Sequence, residues 1–516
     1  MPALLLRARL KVWIWPLMLG MLLCAPTPAD GQQPDHEPNP YALSENAAEA
    51  AGWRTPGRSR LPGWLRVSGS YRLRYERLTD PFRSGGPGDA DVLVHRALIL
   101  ADLRLDPVFV GAELQDARAF MTDANTPLNT SMINAAELLQ AYVGVRLRDV
   151  FEAGSETTLR AGRLTIDMGS RRLIARNRFR NTLNAFTGVE AWWAGSGDAR
   201  AAGFFTAPVQ RRPAGSALLD NEAAFDEENF NVLFWGLFGA VGGLPWSSRG
   251  EVYLFGLHEQ DDADLATRNR KLVTPGVRWF RPPRTGTLDF EVESVLQVGR
   301  SRSTTAATDT TYLDHLACFY HVALGYTVPA PWAPRLVVEY DLAGGDRDPT
   351  DRRNNRFDTL FGAGRFDSFS GRLPRCVHRT ATASLDGYLG ACSQEGHFGP
   401  TGMYGLIARS NINTPGVRVE GTPGAGVDGF LGYRAVWLAA GRDALTTRGI
   451  RDATGGSGRF VGHQIEGRGR VRVLSNHVHL EAGFAYFVAG GFLKRVPDGP
   501  GGRNTAFFYA QATLSF

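Results

Sequence analysis

The sequence predicts an all-β chain: a single-chain transmembrane antiparallel β-barrel of about 18 strands. Three observations predict it. The N-terminus reads as an export signal. Segments of period-2 alternation recur from Arg66 onward without a domain break. The last of them, "TAFFYAQATLSF" at 505–516, runs to a terminal phenylalanine.

The signal is built in the usual order. Arg7, Arg9 and Lys11 form a basic head, and the apolar run "VWIWPLMLGMLLCA" follows. Small residues before Asp30 place cleavage near Ala29, so residues 1–29 are read as a signal peptide. A lipid attachment at Cys24 is the rival, but Leu23 stands where a small residue is expected. The run is short for a membrane span, which weighs against an uncleaved anchor. Residues 30–65, rich in Pro, Gly and polar side chains, read as a periplasmic leader, and 66–516 as the barrel.

The formal net charge is +5. Residues 1–29 carry three of those cations and no acid, so the balance gives no support to a nucleic-acid partner. Lysine occurs only at 11, 271 and 494, and the remaining cations are arginine. Past the signal no run of about 18 apolar residues occurs. The nearest, Phe230 to Trp246, is broken by glycines and rich in strand formers. Sixty glycines and few helix-like periods argue for strands and turns.

Alternation is clearest at 66–78, 92–104, 108–117, 138–148, 157–164, 336–342, 430–439, 460–473 and 478–488. At roughly 25 residues per strand and half-hairpin, 66–516 holds about 18 strands. In the first segment Val67, Tyr71, Leu73 and Tyr75 oppose Arg66, Ser68, Ser70, Arg72, Arg74 and Glu76. In the fourth, Leu139, Ala141, Val143, Val145 and Leu147 oppose Gln140, Tyr142, Arg146 and Arg148. In 460–473, Gln464, Glu466, Arg468, Arg470 and Arg472 oppose Val461, Ile465, Val471 and Val473, with His463 out of place. In 478–488 an apolar face opposes His479 and Glu481. In the terminal segment Ala506, Phe508, Ala510, Ala512, Leu514 and Phe516 oppose Tyr509, Gln511, Thr513 and Ser515. A half-exposed soluble sheet alternates too, with its arginines in bulk water. The signal, the strand number and the final phenylalanine favour the barrel, in which apolar faces meet lipid and Phe516 presents the end that assembly machinery reads.

From Gly162 to Val189, "GRLTIDMGSRRLIARNRFRNTLNAFTGV" resembles the bacterial alginate-export family of outer-membrane barrels. Gly162, Arg163, Gly169, Arg172, Leu173, Asn181, Phe186 and Gly188 match the family pattern. Leu164 replaces its usual Gln, Phe179 stands for a Trp, and Thr187 for an Asp. Further segments fit in order: "AELQDARAF" (112–120), "QAYVGV" (140–145), "NRFDTLFG" (355–362), "RSNI" (409–412), "VWLA" (436–439), "VGHQIE" (461–466) and "FVAGGFLKRV" (487–496). The resemblance implies an 18-stranded monomer in the outer membrane that passes a polysaccharide through an arginine-rich lumen. Its partners would be outer-membrane lipid and lipopolysaccharide, the barrel-assembly machinery through Phe516, and an anionic saccharide.

A polyuronate carries one carboxylate per sugar, and arginine binds carboxylates bidentately. Candidate lumen arginines are Arg72, Arg74, Arg96, Arg104, Arg146 and Arg160. Arg163, Arg172, Arg434, Arg468, Arg470 and Arg472 complete the set. Candidate lumen acids are Glu76, Asp102, Glu113, Glu339, Asp341, Glu466 and Glu481. For any one arginine, a structural ion-pair lattice is as good a reading as a transport role.

Asp346, Asp348 and Asp351 could bind calcium, but the stretch lacks the glycine and closing glutamate of an EF-hand and reads as a solvated loop. Cys376 and Cys392 fit a disulfide in an external loop. Cys318 shares a face with Leu316, Tyr320 and Val322 and reads as a lipid-facing thiol. No G-x-S-x-G or H-E-x-x-H occurs, so no enzyme, metal or cofactor is expected. A structural or enzymatic barrel without an open pore is the alternative.

Overall fold

The computed structural model describes residues 61–516 except 82–87, 123–125, 196–197, 214, 263–264, 363–406, 425, 446–449, 475–476 and 498. The signal segment and the Cys376–Cys392 pair lie outside the described residues.

The chain folds as a closed barrel of 18 antiparallel strands. They are β1 (Leu65–Thr79), β2 (Ala90–Leu105), β3 (Val108–Phe120), β4 (Asn134–Arg148), β5 (Glu156–Leu164) and β6 (Phe186–Ala194). Next come β7 (Arg200–Gln210), β8 (Val232–Leu244), β9 (Ser248–Glu259), β10 (Lys271–Arg281), β11 (Leu288–Ser301) and β12 (Leu313–Thr327). The last are β13 (Arg335–Ala343), β14 (Ile412–Gly424), β15 (Val427–Trp437), β16 (Phe460–Val473), β17 (Val478–Ala489) and β18 (Thr505–Ser515). A short α-helix, α1 (Gly491–Arg495), sits between β17 and β18.

Each strand pairs with the next, and β18 pairs with both β17 and β1. Phe516 seals that seam: its N–H donates to the Gly69 carbonyl at 3.0 Å and its carbonyl accepts from Gly69 at 2.9 Å. Closure leaves no free edge, which strands in lipid require. Connections alternate in length. Short turns such as 106–107, 245–247 and 328–334 lie on one rim with the strand-bearing chain ends. The described parts of the long connections, among them 165–185, 215–231, 344–362, 407–411 and 438–445, lie on the other.

Alternation became two faces as expected. Tyr71, Leu73, Ile99, Val143, Phe205, Val252 and Leu324 are exposed outward. Arg72, Arg74, Arg96, Glu291 and Glu339 are buried inward. Cys318 is a free, half-buried thiol among the exposed Leu316 and Tyr320. His463 takes its place on the outer face beside Tyr433, whose hydroxyl lies 2.8 Å from Nδ1. Trp437 and Phe460 pack nearby at 5.1 Å, and Trp246, Trp279 and Phe290 cluster at the opposite rim. Aromatic belts at both rims suit membrane interfaces.

Two positions break the expected faces, both for one reason. Alternation alone places Leu139 and Val461 outward, and both are buried. Register slips between Glu113 and Leu114 opposite β4, and between Val436 and Trp437 opposite β16. Each slip leaves one extra residue, a β-bulge, which turns that side chain inward.

The interior is layered. Toward the long-loop rim, Leu173, Ile174, Phe186, Phe234, Phe319, Phe357, Leu438, Phe487 and Phe492 belong to one apolar cluster. Around the middle of the strands lies a ring of charged side chains.

Candidate functional site: the inner loop across the barrel

Residues 165–185, between β5 and β6, do not continue either strand. Gly169, Arg171 and Asn177 take positive φ of 55°, 61° and 62°, which breaks extension three times within nine residues. Five arginines in the same stretch also need anionic or carbonyl partners. The loop finds them by folding inward across the barrel.

One end meets β1 and β2. Arg72 donates to the carbonyls of Arg178 (3.0 Å) and Arg180 (2.8 Å) and to Asn181 Oδ1 (3.2 Å). Arg96 donates to the same two carbonyls at 3.0 and 2.9 Å. Arg74 donates to the Phe179 carbonyl at 2.6 Å and lies 4.2 Å over its ring, while also pairing with Glu76 at 2.6 Å. Three successive carbonyls are thus held by three wall arginines. Phe179 packs edge-on against Tyr509 of β18 at 5.2 Å. Within the loop, Arg178 pairs with Asp167 at 2.9 Å, and Arg176 reaches Glu113 at 2.5 Å.

The other end meets the far wall. Arg172 pairs with Glu291 of β11 at 2.6 Å and also with Glu293. Ser170 donates to Glu293 at 2.8 Å, and so does Tyr253 of β9 at 2.7 Å. β1 and β11 lie across the ring from each other, so the loop spans the interior.

The far wall continues as a lattice. Arg278 meets Glu251 (3.0 Å) and Glu291 (2.9 Å). Arg335 meets Asp289 (2.5 Å) and Glu420 (2.8 Å), and Arg418 meets Glu420 (2.7 Å) and Glu339 (3.0 Å). Arg434 pairs with Glu339 and, at 3.4 Å, with Asp341, which also takes His321 at 2.8 Å. Each guanidinium here is shared between two carboxylates.

The remaining candidates are spread round the wall. Arg160 pairs with Glu190 at 2.5 Å, Arg146 with Glu156 at 3.2 Å, and Arg104 with Asp102 at 2.8 Å near the short-turn rim. Arg163 is held by Glu137 and, at 2.6 Å, by Glu228. Arg470 pairs with Asp428 at 2.9 Å, and Arg468 stands 3.9 Å from the same acid. Glu481 accepts from Tyr509 at 2.8 Å, and Glu466 and Arg472 are half-buried on β16.

Sequence reasoning missed Arg180 and Arg211 in the loops and Glu251, Arg278, Asp289, Glu291 and Glu293 on β9–β11. The last three carried a readable signal, since "LDFEVE" alternates acid and apolar residues through Asp289, Glu291 and Glu293. Arg211 donates to the carbonyls of Thr130 (2.9 Å) and Leu183 (3.3 Å) and to Asn184 Oδ1 (3.0 Å). Burial, then the neighbouring Arg211, pulls the Arg180 guanidinium down to about 10, still far above neutral pH. Asp346, Asp348 and Asp351 do not converge. Asp348 accepts from Thr350 and Asp351 from Arg353, and no metal-holding group of three ligands occurs among the described residues.

The profile of the family described as alginate export matches residues 63–374 and 393–507. No curated protein matches the sequence. The fold is similar to OccK8 (OprE) of Pseudomonas aeruginosa, with a TM-score of 0.52 at 10% identity over 88% of this chain and 98% of that one. It is equally similar to a BenF-like porin from Pseudomonas fluorescens Pf-5, with a TM-score of 0.52 at 10% identity over 88% and 99% of the two chains. With a closed 18-strand barrel and a profile match over most of its length, this chain belongs to the alginate export family of outer-membrane β-barrels.

Proposed function

We propose that the barrel is a passive channel for anionic saccharide of the alginate type, or for small anionic solutes, and that the inner loop sets its selectivity. One observation carries this reading. Arg72, Arg96, Arg180 and Arg211 gather at the inner loop, and none of them makes an ion pair with a carboxylate among the described residues. A backbone carbonyl satisfies a guanidinium without cancelling its charge. In a water-poor interior an uncancelled cation projects its field into the nearest open space, which concentrates anions there.

Wild-type reversal potentials across a planar bilayer under a salt gradient test this. The expected result is anion preference that weakens as salt rises, because screening shortens to about 3 Å at 1 M. A cation-selective wild-type pore contradicts it. A second reading, a barrel without an open pore, draws on the apolar cluster at the long-loop end. A reconstituted barrel with no conductance would establish it.

Signal cleavage near Ala29, a Cys376–Cys392 bond, a monomeric state and assembly through Phe516 belong to the same proposal. Intact mass of the purified protein and a non-reduced digest read the first two. A mature chain that keeps residues 1–29, or two free thiols, would remove them.

A further inference from the structure

The motifs at 355–362 and 409–412 form no long strand, yet both reach the inner loop. Phe361 forms a parallel bridge with Ile174. Its N–H donates to the Leu173 carbonyl at 3.0 Å, and its carbonyl accepts from Ala175 at 3.2 Å and from Asn184 Nδ2 at 3.2 Å. Its ring packs 5.5 Å from Phe186 and 4.8 Å from Phe234. Arg409 donates to the Arg172 carbonyl at 3.1 Å. Gly362 touches the loop backbone: a Cβ there would stand 1.9 Å from the Arg172 oxygen and 2.4 Å from its carbon. No side chain fits without moving one backbone or the other.

These segments are themselves fixed. Ser410 donates to the Phe357 carbonyl at 2.8 Å. Asn411 donates its backbone N–H to the Gly344 carbonyl at 2.9 Å and its side-chain amide to the carbonyls of Ala440 and Ala444, both at 3.1 Å. Asp443 accepts from the Asp346 N–H at 2.8 Å and from Arg356 Nε at 2.9 Å.

We propose that Gly362, Phe361 and Arg409 are positioning residues for the inner loop, holding its Arg172 end so that the loop is a fixed part of the frame rather than a moving gate. The carbonyl clamp from Arg72, Arg74 and Arg96 fixes the opposite end. The proposal rests on the channel reading, and wild-type conductance separates the two: a silent wild-type barrel defeats the channel, whereas the variants below defeat only the fixed loop.

Two variants of the full chain test it. Gly362→Ala should leave a closed, heat-modifiable barrel but change the rate at which proteoliposomes swell in neutral sugars by roughly twofold or more, because pore shape alone governs that rate. Wild-type swelling would overturn the proposal. The second variant pairs Ile174→Cys with Phe361→Cys, two parallel bridge partners. Its oxidised form should conduct as the wild type does, since the bond replaces the tie that the Phe361 ring supplies. An oxidised form whose conductance departs from wild type would show that the wild-type loop moves. Should Gly362→Ala fail to assemble, the cysteine pair decides alone.

Discussion

The two walls that grip the inner loop use arginine in opposite ways. On the far wall, five guanidiniums meet seven carboxylates. On the near wall, Arg72 and Arg96 meet only the carbonyls of the loop and an asparagine oxygen. Both satisfy their hydrogen bonds. The far wall cancels its charge, with acid to spare, whereas on the near wall Arg74 has Glu76 and Arg72 and Arg96 have no carboxylate in ion-pair range among the described residues. An arginine in a barrel interior therefore says little by itself, and its acceptor decides whether it stiffens the wall or charges the passage.

The largest expected effect breaks the far wall. Arg278→Met strands Glu251 in a buried site and leaves Glu291 to Arg172 alone, and removing one partner of a buried pair costs about 3–5 kcal/mol. The heating temperature at which the folded gel band disappears should fall clearly. An unchanged temperature would mean that the lattice adds nothing.

A smaller effect sharpens the comparison at the long-loop rim. Asp226 lies beside Glu137, whose carboxylate accepts the Asp226 N–H at 2.8 Å, with Arg163, Glu228, Asn134 and Arg211 around them. Burial pushes the Asp226 carboxyl up to about 6, opposed by the Arg212 N–H and aided by the Glu137 charge. A raised folded value means that the stabilisation is complete below the ordinary carboxylate range and fades as pH rises through about 6. Docking of the 211–231 loop should thus be firmer at pH 5 than at pH 7. The difference in unfolding temperature between those pH values should shrink in Asp226→Asn. An equal difference in both proteins would remove Asp226 as its source.

The sequence carried the barrel well and the site poorly, for identifiable reasons. β16 has the expected bounds, because an outward apolar face and an inward polar face repeat with no competing signal. Leu139 and Val461 were misassigned because a bulge is a property of the strand pair, with no mark in either strand alone. Arg163, Arg172 and Asn181 were noticed as part of a family motif, but its crossing of the interior was not. The partners of Arg72 and Arg96 are backbone atoms of residues near 180, and a carbonyl leaves no trace in a one-dimensional pattern. The acids of β11 are legible as an alternating pattern, but nothing in that pattern says that they neutralise Arg172 and Arg278.

The smallest structural change gives the most direct test of the central claim, that selectivity comes from arginines whose charge no carboxylate cancels. Reversal potentials can be compared for two variants under one salt gradient. One changes Arg180 and Arg211 to Gln. The other changes Arg468, Arg470 and Arg472 to Gln, two of which face Asp428. The account predicts that the double variant loses anion preference severalfold and that the triple variant loses less, although it removes one more cation. Equal losses, or a larger loss in the triple variant, would contradict it.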